Sequence, residues 1–399
     1  MAAFIFIIPI AWPIGSNMNL RDFQEMLFQY AAMILCTFFV GNIYMPLFMA
    51  WTVFLFYLNG SQVGQEAVLN VFLGIMLYGV STKLFSRFKF DKEAVWIGRV
   101  GLVSLCFMLL QQFSIDPLHI KFNYEVGVQP AQDFCDKVGV MNLKAHNGIL
   151  MALMAVVLTS INPIFGLIGI FPVWLSESSG AILAVTIGIL FYLFHMKRKW
   201  FYPILGVATL AGCFYAYRDY KTDSQMYLSR FATWHLTVRQ VLLRPIGYGP
   251  DSFRNVTPHK DFLIAGDQDR RSALGLQIPG ETNKFAFIYY HPKPSVMFSE
   301  DYVTKRPLSP NVWDHPHNEI LNLFFWWGFP GLILVGLFAR ECCKRFMLAD
   351  KTKEIVLVTS LILVYVASSM VQFPLSVARL GYMFPLLLGA FTAATEKNA

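Results

Sequence analysis

Asp314-His315-Pro316-His317-Asn318-Glu319 closes a long polar stretch, and an apolar run from Ile320 to Ala339 follows directly behind it. Two imidazoles, an amide and two carboxylates stand where a water-exposed segment passes into a helix of membrane character. The same apolar run carries a helix break, Gly328-Phe329-Pro330-Gly331, about two turns further in. Polar chemistry at a water–lipid boundary is the theme this junction sets.

The composition agrees. Of 399 residues 56% are hydrophobic and 14% charged, with 37 Phe, 9 Trp and a mean hydropathy of +0.49. That excludes an ordinary soluble domain and predicts an all-α polytopic membrane protein. The net charge of +7 is what cytoplasmic Lys/Arg loops supply and gives no sign of a nucleic-acid partner. Six cysteines (Cys36, Cys106, Cys135, Cys213, Cys342, Cys343) form no C-x-x-C pair, which argues against both a disulfide framework and a zinc knuckle. Met1 to Ile14 is apolar without a basic leader and reads as a first, short span.

Apolar runs predict about twelve transmembrane spans: residues 3–15, 23–41, 45–59, 66–85, 93–113, 145–161, 163–175, 178–196, 199–217, 319–339, 353–371 and 378–394. Lys83, Arg87, Lys89 and Lys92 fill the fourth connection, and Lys197, Arg198 and Lys199 fill the eighth. Arg340, Lys344, Arg345, Lys351 and Lys353 fill the tenth. All three have an even index, so the positive-inside rule puts them and both termini in the cytoplasm. The chain then divides into an N-terminal bundle (1–217, about nine spans), a large outward loop (218–318) and three C-terminal spans (319–399). A loop of that length in a compact membrane protein is expected to be functional and partly structured. Five of the eight histidines lie in it: His235, His259, His291, His315 and His317.

The loop opens with a helix signal. Asp223 or Ser224 can cap it, and Tyr227, Phe231, Trp234, Val238, Val241 and Leu242 follow at helical spacing. The segment stops at Arg244-Pro245-Ile246-Gly247-Tyr248-Gly249-Pro250, a dense turn signal in which Gly247 and Gly249 are turn residues. Such a helix is expected at the outer membrane interface. Arg230, on the flank of its apolar stripe, either snorkels or holds a cation at headgroup depth to receive an anion. Phe285–Tyr290 reads as a strand.

Asn318 is a good N-cap for the helix behind it, which puts His317 just outside a helix N-terminus. The positive end of the helix dipole disfavours imidazolium, so this histidine is expected to stay neutral, as a general base requires. The alternative is a histidine merely hydrogen-bonded at the boundary. His315 and His317 with Asp314 could also begin a metal site, completed by His259 or His291, but the spacing does not require it. No Walker, nucleophile-elbow or H-E-x-x-H motif is present. Intramembrane charge is sparse, with Arg99 and Arg379 near span ends, which gives ion-coupled transport little to work with. A transferase working outside the cytoplasm needs a donor that carries its own activation. A lipid diphosphate fits, with arginines for the diphosphate and a base for the acceptor hydroxyl.

Two stretches resemble the superfamily of O-antigen ligases and O-antigen polymerases, which includes protein O-oligosaccharyltransferases. His317-Asn318, nine residues to Trp327, then Gly328-Phe329-Pro330-Gly331 is similar to that family's His-[Asn/Ser/Gln]-x9-Gly-x-x-Gly pattern. Leu332 follows where ligases often have Gly, Thr or Tyr. Arg230-x3-Trp234 with Pro245-x-Gly247-x-Gly249-x3-Phe253 resembles a second family stretch. Weaker echoes are Asn142 and Asn147, Leu175 to Gly180, and Phe373-Pro374-Leu375, so the similarity spans residues 140–390. The resemblance implies an inverting, metal- and cofactor-independent O-antigen ligase in the bacterial inner membrane. Its donor would be an undecaprenyl-diphosphate-linked glycan and its acceptor a lipid A-core hydroxyl, met at the periplasmic face. His317 would be the base, Arg230 a diphosphate ligand, and Arg270 or Arg271, ahead of Arg254, the second. Asn318 would cap, and Gly328 and Gly331 would allow a bend or close packing. A polymerase is the alternative; a protein oligosaccharyltransferase fits less well, because those commonly carry a further C-terminal domain. A lipid-glycan transporter or flippase is the rival from another class.

Overall fold

The computed structural model describes residues 13–14, 18–19, 43–59, 65–113, 115, 144–176, 178–222, 234, 237–238, 240–253, 285–290, 293–299, 316, 318–370 and 381–397. In chain order the elements are β1 (Pro13–Ile14), β2 (Met18–Asn19), α1 (Tyr44–Asn59), α2 (Gln65–Arg87), α3 (Phe90–Glu93), α4 (Val95–Gln112) and α5 (Lys144–Ile161). Next come α6 (Pro163–Leu175), α7 (Ser179–Met196), α8 (Arg198–Thr222), β3 (Phe285–Tyr290) and β4 (Lys293–Ser299). The last three are α9 (Glu319–Leu348), α10 (Lys353–Ser369) and α11 (Met383–Glu396).

Among the described residues, helices lie along the apolar runs from residue 45 onward, and their ends follow local chemistry. Asn162 caps α6, accepting the amide of Ile164 at 3.0 Å with Pro163 at the first helical position. Ser178 caps α7 and Thr352 caps α10 in the same way. Among the described residues three helices are long and apolar enough to cross a membrane: Ala67–Arg87, Phe90–Gln112 and Glu319–Leu348. Shorter apolar helices surround them in the sequence, among them Tyr44–Asn59, His146–Ile161 and Gly180–Met196.

The chain is all-α in class, with two antiparallel strand pairs beside its helices. β1 and β2 form an antiparallel pair, so Pro13 and Ile14 are extended where a first span over 3–15 was expected. Proline fixes its own φ and lacks the amide a helix would use there. β3, in the segment that reads as a strand, pairs with β4 from Phe285↔Ser299 to Tyr290↔Lys293, with an irregularity between Ile288 and Tyr289. Pro294 explains that local fault, since it cannot complete the ladder. The rest of the 3–15 span and the 23–41 span lie outside the described residues.

The chain forms two compact units. Unit one holds residues 1–46, 69–209 and 337–399; unit two holds 47–68 and 210–336. In unit one α5 is the hub: every residue from Ile149 to Val157 is buried, so the helix is apolar on all sides and enclosed on all sides. Gly188 of α7 lets α10 approach, because a Cβ there would meet Val364 Cγ2 at 2.7 Å.

Polarity in unit one is arranged for a lipid solvent. Ile168, Phe171 and Val207 face outward. Polar side chains turn inward: Ser104 Oγ donates to Asn147 Oδ1 at 2.6 Å, and Ser81 Oγ to the carbonyl of Leu386 at 2.5 Å. In hydrocarbon each polar group needs a protein partner, and this is the pattern that follows.

One end of unit one gathers charge. Arg345 bonds Glu341 at 3.2 Å and Glu396 at 2.8 Å. Glu354 accepts the amide of Phe90 at 2.6 Å, and Lys397 Nζ donates to the carbonyl of Phe88 at 3.1 Å. His195, at the end of α7, packs on Phe346 of α9 at 5.6 Å. The fourth, eighth and tenth connections and the C-terminal segment thus meet at a single end.

Candidate active site

The site is best built from the helix break in unit two. Within α9, Gly328 has φ 60° and ψ −163°, so the helical path stops there and restarts. A break leaves the carbonyls of the preceding turn without their intrahelical amides, and at membrane depth each must be met by protein. Pro330 makes the loss permanent at Trp326, whose carbonyl would look four residues ahead for an amide that proline lacks.

The carbonyls of Phe325, Trp326 and Trp327 each have a partner. Tyr248 N donates to the Phe325 carbonyl at 3.0 Å and Gly249 N to the Trp326 carbonyl at 2.7 Å. Trp51 Nε1, from α1, donates to the Trp327 carbonyl at 2.9 Å. In the other direction Phe329 N donates to the Pro245 carbonyl at 2.8 Å. The turn Pro245–Gly249 therefore supplies two donors and one acceptor in place of helical bonds, and Trp51 supplies the third donor.

Backbone must touch backbone for this to work, and glycine permits it. A Cβ on Gly328 would lie 2.2 Å from the Pro245 carbonyl oxygen and 2.5 Å from Gly247 N. A Cβ on Gly247 would lie 2.6 Å from Gly328 N. Gly247 and Gly249 have φ +92° and +91°, values that L side chains avoid. The two glycine-bearing stretches singled out in the sequence are thus halves of one lock, a relation that their spacing did not reveal.

Aromatic packing surrounds the lock. Tyr248 stacks on Phe325 at 4.6 Å and 16°, and Phe253 meets Phe325 edge-on at 4.9 Å. With Val241 they form a small buried core. The Tyr248 hydroxyl donates toward Gln240, 3.1 Å from its carbonyl, while the Arg244 guanidinium lies 5.3 Å from the Tyr248 ring. Burial pushes the Tyr248 phenol pKa up, and the nearby Arg244 charge opposes that shift. Gly331 makes room for Trp327, whose indole donates to Thr52 Oγ1 at 3.1 Å and packs on Phe48 at 4.7 Å.

At the other end of the first half-helix, Asn318 is the cap: its Oδ1 accepts the amide of Leu321 at 3.0 Å and its carbonyl that of Asn322 at 2.9 Å. Pro316, Asn318, Glu319 and Asn322 are buried there, with Asn322 Nδ2 3.4 Å from Glu319 Oε1. The Trp234 indole donates to the Pro316 carbonyl at 2.9 Å. The helical residues among 234–243 and the first half of α9 run in the same direction, since Trp234 pairs near residue 316 and Val241 packs near Phe325. Trp234, Thr237 and Val241 face inward, whereas Val238 and Leu242 of the expected stripe are exposed.

His317, Arg230, Arg270, Arg271 and Arg254 lie outside the described residues, as do His315, His259 and His291. Among the described residues no group of three metal-ligating side chains occurs. Two described groups gain interest that the sequence did not give them. Glu319 is a carboxylate only 1% exposed in the first helical turn, and Asn322 is fully buried beside it. Their signal was faint: a polar pair at three-residue spacing inside an apolar run. No family model matches the chain, and no curated protein is significantly similar to it.

Proposed function

We propose that this protein is a membrane glycosyltransferase of the O-antigen ligase type. It would move a glycan from an undecaprenyl-diphosphate carrier to a lipid A-core hydroxyl at the periplasmic face, with about twelve spans and both termini in the cytoplasm. The observation that carries the reading is the joining of its two motif stretches. Trp234 touches Pro316, and Pro245–Gly249 docks on the break at Gly328. In the sequence Arg230 stands four residues before Trp234 and His317 directly follows Pro316, which supports a reading in which cation and base serve one site.

The chemistry follows from those roles. The His317 imidazole, kept neutral beside a helix N-terminus, takes the proton of the acceptor hydroxyl. The acceptor oxygen attacks the anomeric carbon from the face opposite the diphosphate. The new carbon–oxygen bond forms as the carbon–phosphate-oxygen bond breaks, and the configuration inverts. The leaving lipid diphosphate carries away the bonding electron pair, its charge met by Arg230 with Arg270 or Arg271. No metal or cofactor enters the scheme.

The test is a reaction in purified form. Lipid-linked glycan is incubated with the protein, either with core lipid or alone, and the products are separated. Ligated core lipid supports the proposal, and His317→Ala should lower the rate by at least roughly 100-fold while donor binding persists. Chains lengthened on the carrier would make the protein a polymerase. Movement of labelled lipid across a vesicle with no new glycosidic bond would make it a transporter.

A further inference from the structure

Resting on the transferase reading above, we propose that Trp234 is a positioning residue for the base, acting through the Pro316 carbonyl, and that the glycine lock keeps its helix at a fixed spacing. A peptide group is planar, so restraining its oxygen limits the movement of the whole unit. The Trp234 indole holds the carbonyl of Pro316, 2.9 Å away, and that peptide leads directly into residue 317. On the far side Asn318 is anchored twice, by its side chain to Leu321 N at 3.0 Å and by its carbonyl to Asn322 N at 2.9 Å. In the sequence the proposed base thus has a tethered residue on either side, Pro316 and Asn318. One of the tethers comes from the segment that also carries Arg230.

A single indole contact could not set that spacing alone. The second fastening is the lock, where three backbone hydrogen bonds join Pro245, Tyr248 and Gly249 to Phe325, Trp326 and Phe329. Between the two fastenings Val241 and Phe325 share one buried core. The two segments are pinned at both ends and packed in the middle, so neither can slide along the other. A misplacement of about 1 Å at a reacting group can cost on the order of 100-fold in rate, which is why such bracing matters to a transferase.

Two substitutions test this on the full chain in lipid nanodiscs. Trp234→Phe keeps an aromatic ring while removing the N–H donor and one ring of the indole, and the exchange measurement below separates loss of packing from loss of the bond. Turnover should fall roughly 10- to 100-fold, with KM for the lipid-linked donor within about twofold of wild type. Hydrogen exchange at the amides of Tyr248, Gly249 and Phe329 should not change. Gly247→Ala should expose those three amides to exchange and lower turnover as well; if that variant does not accumulate, Trp234→Phe decides. Unchanged turnover in Trp234→Phe overturns the proposal, as does a loss matched by loss of folded protein. If wild type forms no glycosidic bond, the transferase reading falls and the role of Trp234 falls with it. Exchange at the three amides would still report whether the lock exists.

Discussion

Tyr248 shows how much one side chain in the lock is asked to do. Its amide meets a bare helical carbonyl, its ring stacks on Phe325 and its hydroxyl reaches Gln240. Burial raises its pKa above the ordinary phenol value, so the fold favours the neutral form. The corresponding stability is complete below the unfolded value of about 10 and is lost as pH rises through the higher folded value. The unfolding temperature in detergent should therefore fall above that point, and Tyr248→Phe should remove this residue's share of the slope. Below it the same substitution should cost about 1 kcal/mol, the worth of an ordinary hydrogen bond. A pH profile identical in the two proteins would show that the phenol is not held as described.

The first half-helix of α9 is short, so its N-terminus matters more than in a long span. Asn318→Ala removes the acceptor for Leu321 N and should destabilise by about 1 kcal/mol. Asn318→Asp keeps an acceptor, so it should hold stability near wild type and retain transfer, because the side chain caps and does not react. Unfolding temperatures and initial rates of the two variants check both statements. This cap was legible in the sequence, as were the helix borders, because both depend on residues close together. The break was legible too, from Gly328 and Pro330. What it docks against was not. Backbone-to-backbone bonds carry no side-chain identity, and the partner lies a whole loop away; only the permissive glycines at 247 and 249 marked the place. Glu319 was hidden for a different reason, since a carboxylate opening a helix is ordinary until it is found buried.

At the scale of the molecule, the charged connections agree with one another. Residues 88–90, 341–354 and 396–397 are linked by hydrogen bonds and ion pairs, so these segments share an end whichever way the protein sits. In the topology proposed above, that end is the cytoplasmic one. Single cysteines introduced at Lys89, Lys199 and Lys351 should react with a membrane-impermeant maleimide only in inverted vesicles. Cysteines placed in the 251–310 segment should react in intact spheroplasts. Labelling of the two groups from the same side would refute the topology. The inward polarity of unit one was only partly foreseeable, because hydropathy identifies a span without saying which of its faces meets another helix.

Pro330 has a consequence for how the chain is made. Synthesis delivers Pro245–Gly249 well before the ribosome reaches Phe325–Pro330. The amides that will satisfy Phe325 and Trp326 already exist when that hydrophobic stretch leaves the translocon, so it can enter the bilayer with its backbone groups answered on arrival. A chain permuted so that residues 210–253 came last would have to insert the same stretch with those carbonyls bare.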